Sequence, residues 1–129
     1  MDGDTDLSAL VIAAAIEVHR ELGPGLLESA YRSCLVHELL GRGVRVDAEV
    51  PLAVTYRGKQ LECCYRLDLV VERTLLVELK AVQALDELHT SQLLTYLRLA
   101  RQPLGLLINF NVPLLRRGIR RVILTSAAS

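Results

Sequence analysis

The sequence has no tryptophan, one phenylalanine and four tyrosines among its 129 residues. That is too few aromatics for a stacking platform along a single nucleic-acid strand. It also has no net charge, fifteen Lys and Arg offsetting fifteen Asp and Glu. No global field therefore draws the chain to nucleic acid or membrane, and any polyanion site has to be a local patch. Its three cysteines, Cys34, Cys63 and Cys64, leave one over and two adjacent. This excludes a disulfide framework, the lack of any C-x-x-C pair argues against zinc, and the pattern suits a reducing cytosol. Cys63 and Cys64 read as strand filling, one side chain per face. No apolar run approaches the roughly 20 residues that cross a bilayer. The acidic start ahead of Leu10–Ile16 offers no basic leader, so no secretory signal is expected. No linker or internal repeat divides the chain. The expectation is one cytoplasmic domain over 1–129, with its core from about residue 7 to about residue 124.

What is present is periodic. Leu7, Leu10, Val11, Ala14, Ala15, Val18 and Leu22 recur at helical spacing behind the N-cap candidates Asp4, Thr5 and Asp6. Gly23-Pro24-Gly25 breaks that helix. A second helix is predicted over about 26–40, with Leu27, Ala30, Tyr31, Cys34, Leu35 and Leu39 as its core face, and a third over about 88–101, stopped by Pro103. Val44–Tyr56 reads as extended, with Pro51 marking a break or an edge. Within it, Val50–Tyr56 forms a hairpin with Leu61–Val71 around the turn Arg57-Gly58-Lys59. Leu75–Lys80 pairs back on that second strand. Leu104–Phe110 is an apolar run suited to burial on both faces, and Ile119–Leu124 ends the series. The order α-α-β-β-β-α-β-β describes an α/β chain, a central mixed sheet flanked by helices.

Three charges interrupt the most apolar hairpin: Asp68, Glu78 and Lys80. Charged side chains are rarely buried unless paired or bound to a metal. Alternation puts Glu78 and Lys80 on one strand face with Leu76, and Asp68 with Arg66 and Val70. An odd loop, Glu72-Arg73-Thr74, would set Asp68 opposite Glu78, with their β-carbons roughly 5 Å apart. A two- or four-residue loop would separate them. Like charges facing each other destabilise a sheet, and a divalent cation with oxygen ligands, magnesium above all, would relieve them. Lys80 could then stabilise an anionic oxygen nearby. The other reading is an exposed face on which Asp68 pairs with Arg66 or Lys80.

Asp68 followed ten residues later by Glu78-Leu79-Lys80 resembles the core of the PD-(D/E)XK nucleases, with Leu67 where a proline often stands. Gly25-Leu26-Leu27-Glu28-Ser29-Ala30-Tyr31 resembles the Gly-x-x-Glu-x-x-Tyr signature of the GxxExxY family. The flanks Val18–Gly25, Leu107–Phe110 and Gly118–Arg121 are similar too, and Gln92-Leu93-Leu94-Thr95-Tyr96 matches a Gln-x-x-x-Tyr motif of a RecB-like branch. The resemblance implies a restriction-endonuclease-like core and Mg2+-dependent (or Mn2+-dependent) hydrolysis of phosphodiesters in DNA or RNA. It makes Asp68 and Glu78 metal ligands, with the Leu79 carbonyl as a further one, and Lys80 the residue that positions the attacking water. It adds Glu28 as another acid near the metal, and Gln92 and Tyr96 as contacts to the backbone or supports for Lys80.

Without the resemblance, Glu28 is a helix-start charge matching the dipole, Tyr31 a core residue with a paired hydroxyl, and His89 a cap or an outer support rather than a base. Arg116, Arg117, Arg120 and Arg121 either neutralise phosphates or form a solvated face. The rival function is a non-cleaving module on the same fold, binding nucleic acid or protein; a purely structural subunit with salt-bridged carboxylates is the third reading. No membrane partner is expected, and folds of this kind allow a homodimer.

Overall fold

The computed structural model describes residues 3–125, apart from the side chains of residues 3–5 and 62–64. The first helix already begins at Gly3, so the expected caps Asp4, Thr5 and Asp6 lie within it rather than ahead of it, and the strand-filling role of Cys63 and Cys64 lies outside the described residues. The elements are α1 (Gly3–Leu22), α2 (Glu28–Gly41), β1 (Val46–Tyr56), β2 (Lys59–Val71), β3 (Leu75–Lys80), α3 (Glu87–Ala100), β4 (Leu104–Asn109), a 3-10 turn (Leu115–Gly118) and β5 (Ile119–Ile123). Apart from that turn, this is the order expected. The strands form a five-stranded sheet in the order β1-β2-β3-β4-β5. β3 and β4 run parallel, and the other neighbours are antiparallel. Among the described residues, the only parallel pair is the one joined through a helix, α3, as a parallel crossover requires.

Helices cover both faces. On one, Val11, Ala14 and Ala15 of α1 and Tyr31, Leu35 and Leu39 of α2 pack on Leu69, Val77, Leu106 and Ile108. On the other, Leu93, Tyr96 and Leu97 of α3 pack on Leu76, Leu107 and Val122. β3 and β4 are sandwiched and buried along nearly their whole length, which accounts for their uninterrupted apolar runs. Gly105 lets α3 sit close: a Cβ there would come within 3.1 Å of Leu93 Cδ2.

Two apolar residues do not go where helical spacing puts them. Leu22 is exposed at the end of α1, and Leu27 is 77% exposed. α2 starts at Glu28 rather than near residue 26, and Leu27 is its extended N-cap residue (ψ 152°). Leu27 thus lies outside the helical turns, where 3.6-residue spacing no longer decides where a side chain points, and Leu22 is the last residue of α1.

β1 is an edge strand, which resolves the alternatives for Pro51 in favour of an edge. Pro51 pairs with Arg66, the register slips between Leu52 and Val54, and Glu49 takes a left-handed conformation (φ 52°). At the hairpin tip, Tyr56 pairs with Lys59 across a two-residue loop. Arg57 and Gly58 both have positive φ there, the geometry that suits the twist of a hairpin. No helix among the described residues is long and apolar enough to cross a membrane.

Candidate functional site

The loop between β2 and β3 holds three residues, as the expected site geometry requires. Glu72 (φ 52°) and Arg73 (φ 61°) are both left-handed, and the Thr74 N–H donates to the Val71 carbonyl at 3.1 Å. Val71 then pairs with Leu75, Val70 with Leu76 and Leu69 with Val77.

There the ladder stops. Asp68 and Glu78 are next in register, but they are not joined backbone to backbone. The Asp68 N–H donates to Glu78 Oε1 at 2.9 Å, and the Leu79 N–H donates to Asp68 Oδ2 at 2.8 Å. Each carboxylate thus accepts a main-chain N–H of the opposite strand, so the strands are held together by two side chains. Alternation also slips at this point: Leu67 packs on the α3 side, while Leu69 packs on the α1/α2 side. Across β1, Ala48 pairs with Leu69 and Val50 with Leu67, but left-handed Glu49 has no ladder partner opposite Asp68. Non-glycine residues at positive φ outside tight turns cluster at functional sites.

Neither Arg66 nor Lys80 neutralises Asp68. Arg32 of α2 does, its Nη1 standing 3.2 Å from Asp68 Oδ1 and its Nη2 3.5 Å from Glu49 Oε1. Sequence reasoning missed this residue; its one signal is the spacing of four from Glu28, which puts both on one face of α2. That helix start is held by the Gly-x-x-Glu-x-x-Tyr stretch itself. The Tyr31 hydroxyl donates to the Gly23 carbonyl at 2.7 Å and accepts the Leu26 N–H at 3.1 Å. The Tyr31 ring stacks on Phe110 at 4.4 Å. Tyr31 is thus the core residue with a paired hydroxyl that its position suggested.

Glu78 is only 6% exposed. Burial, and then the neighbouring Asp68 charge, push its pKa up to about 8, against the opposing pull of the Asp68 N–H bond and of Lys80; Glu28 raises it slightly. Tyr96 is pushed up to about 12 by burial and by the charges of Glu78, Tyr65 and Asp68. Glu28, Asp68, Lys80 and Tyr96 therefore all stand within electrostatic reach of Glu78. Gln92 is exposed on α3. It lines a groove with Tyr65, His89 and Tyr96. His89 is a cap: its N–H donates to Asp86 Oδ1 and its Nδ1 accepts the Asp86 N–H, both at 3.1 Å.

Lys80 is set by β4. It pairs with Asn109, and its carbonyl accepts the Phe110 N–H at 2.9 Å. The buried Asn109 amide grips the chain as it leaves β3, bonding both the N–H and the carbonyl of Val82. Nothing in the sequence beyond Asn109's place in the Leu107–Phe110 flank marked it for that role. Two members of the arginine cluster part company on β5. Arg120 turns toward α3, donating to Thr90 Oγ1 at 3.2 Å, whereas Arg121 turns toward α1, donating to Ser8 Oγ at 2.8 Å.

No group of three or more His, Cys, Asp or Glu residues among those described is arranged to hold a metal ion. Two carboxylates, Asp68 and Glu78, do stand together, each with an oxygen held by a main-chain N–H. A hard-oxygen pair of this kind fits magnesium, which keeps most of its waters and needs one or two carboxylates. A cation there would also offset the cost of a second buried negative charge beside Asp68.

A mixed sheet between helices, with an Asp facing a Glu-x-Lys where two central strands part, is the architecture of a nuclease-like protein. The family profile of the PD-(D/E)XK nuclease superfamily matches residues 5–122. The chain belongs to that superfamily, and its fold is restriction-endonuclease-like. No curated protein and no solved structure matches it significantly.

Proposed function

We propose that this chain is a metal-dependent nuclease of the GxxExxY type, hydrolysing phosphodiester bonds in DNA or RNA. The observation that carries the reading is the reciprocal lock at the strand fork, which brings the Asp68 and Glu78 carboxylates together two residues before Lys80 on β3. Asp68 and Glu78 would hold Mg2+ (or Mn2+), with Glu28 contributing from the start of α2. When bound, the ion supplies Lewis-acid polarisation and activation of water. Lys80, fixed through its backbone by β4 and Asn109, orients the attacking water and offsets charge building on the phosphate. Arg32 keeps the Asp68 carboxylate aimed. Tyr96 and Gln92 border the strand on the α3 side. The protein is read as a single cytoplasmic domain that needs no membrane and is compatible with a homodimer.

The test is cleavage of DNA and RNA, single- and double-stranded, by purified protein with Mg2+ or Mn2+. Asp68→Ala and Lys80→Ala are expected to abolish cleavage while circular dichroism stays that of the folded chain. A wild type that cuts none of these substrates, with Asp68→Ala binding them as well or better, would favour a binding module on the same fold.

A further inference from the structure

The groove beside the fork is unexplained by metal binding. It has a volume of about 470 Å3 and lies between β2 and α3, lined by Tyr65, His89, Gln92, Thr95 and Tyr96 among others. That volume lies in the range of small-ligand sites, about 300–1,000 Å3. Its position ties it to the acidic pair. Tyr65 is three residues before Asp68 on the same strand, roughly 10 Å away by strand rise, and its shared wall, Tyr96, lies in the field of Glu78 and Asp68.

The lining suits one chemistry. Tyr65 is 39% exposed and offers a ring face. Its ring is braced by Tyr96, their centroids 5.3 Å apart at a tilt of 54°, so it is held rather than free to sweep. His89 has its Nδ1 occupied as an acceptor, which places the ring proton on Nε2 as a donor. The exposed Gln92 amide carries both a donor and an acceptor. A flat aromatic wall with a few polar groups around it is what a nucleobase needs: one π-face to stack and edges to hydrogen-bond. Scarce as aromatics are in this chain, the fold brings two of its four tyrosines together beside the candidate site.

We infer that this groove is a base-binding subsite, and that the substrate is a nucleic-acid strand with an unpaired base next to the scissile phosphate. The inference rests on the nuclease reading above and specifies its substrate class. A duplex keeps both faces of each base stacked and can offer nothing to Tyr65 without unstacking, which costs a few kcal/mol. A single strand, a flap or a loop incurs much less.

The absence of tryptophan supplies the probe. Tyr65→Trp creates a unique fluorophore in the groove, and its emission is to be followed while oligothymidylate, oligouridylate or a matched duplex is added with calcium in place of magnesium. Affinity is measured in parallel for wild type, Tyr65→Phe and Tyr65→Ala. The expected result is quenching by both single strands and not by duplex, about 5- to 100-fold weaker single-strand binding by Tyr65→Ala, and a change of less than about 3-fold for Tyr65→Phe. Unchanged single-strand affinity in Tyr65→Ala, or equal quenching by duplex, overturns the subsite. If Asp68→Ala loses cleavage while Tyr65→Ala binds normally, the groove is wrong and the nuclease reading survives. If a wild type that never cleaves loses strand binding through Tyr65→Ala, the groove survives and the nuclease reading fails.

Discussion

The two ends of the β2–β3 hairpin obey different rules. At the closed end, Leu69, Val70 and Val71 face Val77, Leu76 and Leu75 in a regular ladder, and all but the partly buried Val70 are buried. One residue further on, Asp68 and Glu78 occupy the next register positions, but their carboxylates accept the main-chain N–H groups. The closed end is stable because it is apolar and fully paired. The open end keeps its strands together through two acids, Glu78 buried and Asp68 partly buried, and so depends on something that offsets their charge. An arginine offsets one of them here. The difference shows how a sheet can open for chemistry without losing its register.

Three measurements would sharpen or break that contrast. The largest effect belongs to the open end and to pH. Folded Glu78 keeps its proton up to about pH 8, whereas the unfolded chain releases it near the ordinary 4.5. Between those values the native state binds more protons, so stability falls as pH rises. The fall reaches up to about 4–5 kcal/mol across the window, at most ~1.4 kcal/mol per pH unit. Urea unfolding from pH ~5 to ~8 should show this slope in the wild type and lose it in Glu78→Gln, whose amide oxygen can still accept the Asp68 N–H. An identical slope in both proteins would mean that Glu78 is not the group responsible.

At the closed end, Leu69→Ala should cost about 3 kcal/mol by leaving a cavity, with no change in the pH slope. A pH slope altered by this substitution would show that the two ends are not independent. The smallest effect is Arg32→Ala, about 1–2 kcal/mol at neutral pH for a partly exposed ion pair. It is checked by thermal unfolding at low and high salt, where the difference from wild type should shrink as salt rises.

The element order and the acidic pair were both legible in the sequence because each rests on local pattern. Period-2 and period-3.6 runs placed the strands and helices to within a few residues. The odd loop Glu72–Thr74 put Asp68 and Glu78 in register, as the ladder up to Leu69 and Val77 bears out. What escaped depends on tertiary packing. Nothing in α2 says that Arg32 will meet β2, and nothing in the β2 run says that Leu67 and Leu69 will face opposite cores. The extent of the opening was equally hidden: strand parity foresaw two carboxylates side by side, not carboxylates standing in for the ladder.

The irregularity of β1 has a consequence for how the protein behaves in a crowded solution. An open sheet ends in an unpaired strand, a template on which other chains can grow. Over its eleven residues β1 has a left-handed Glu49, Pro51 with no N–H to donate, and a register slip between Leu52 and Val54. At the opposite edge β5 is only five residues long and carries Arg120 and Arg121. Neither border presents a long, flat row of donors and acceptors, so a domain that is half apolar by composition is protected against fibrous self-assembly at both margins of its sheet.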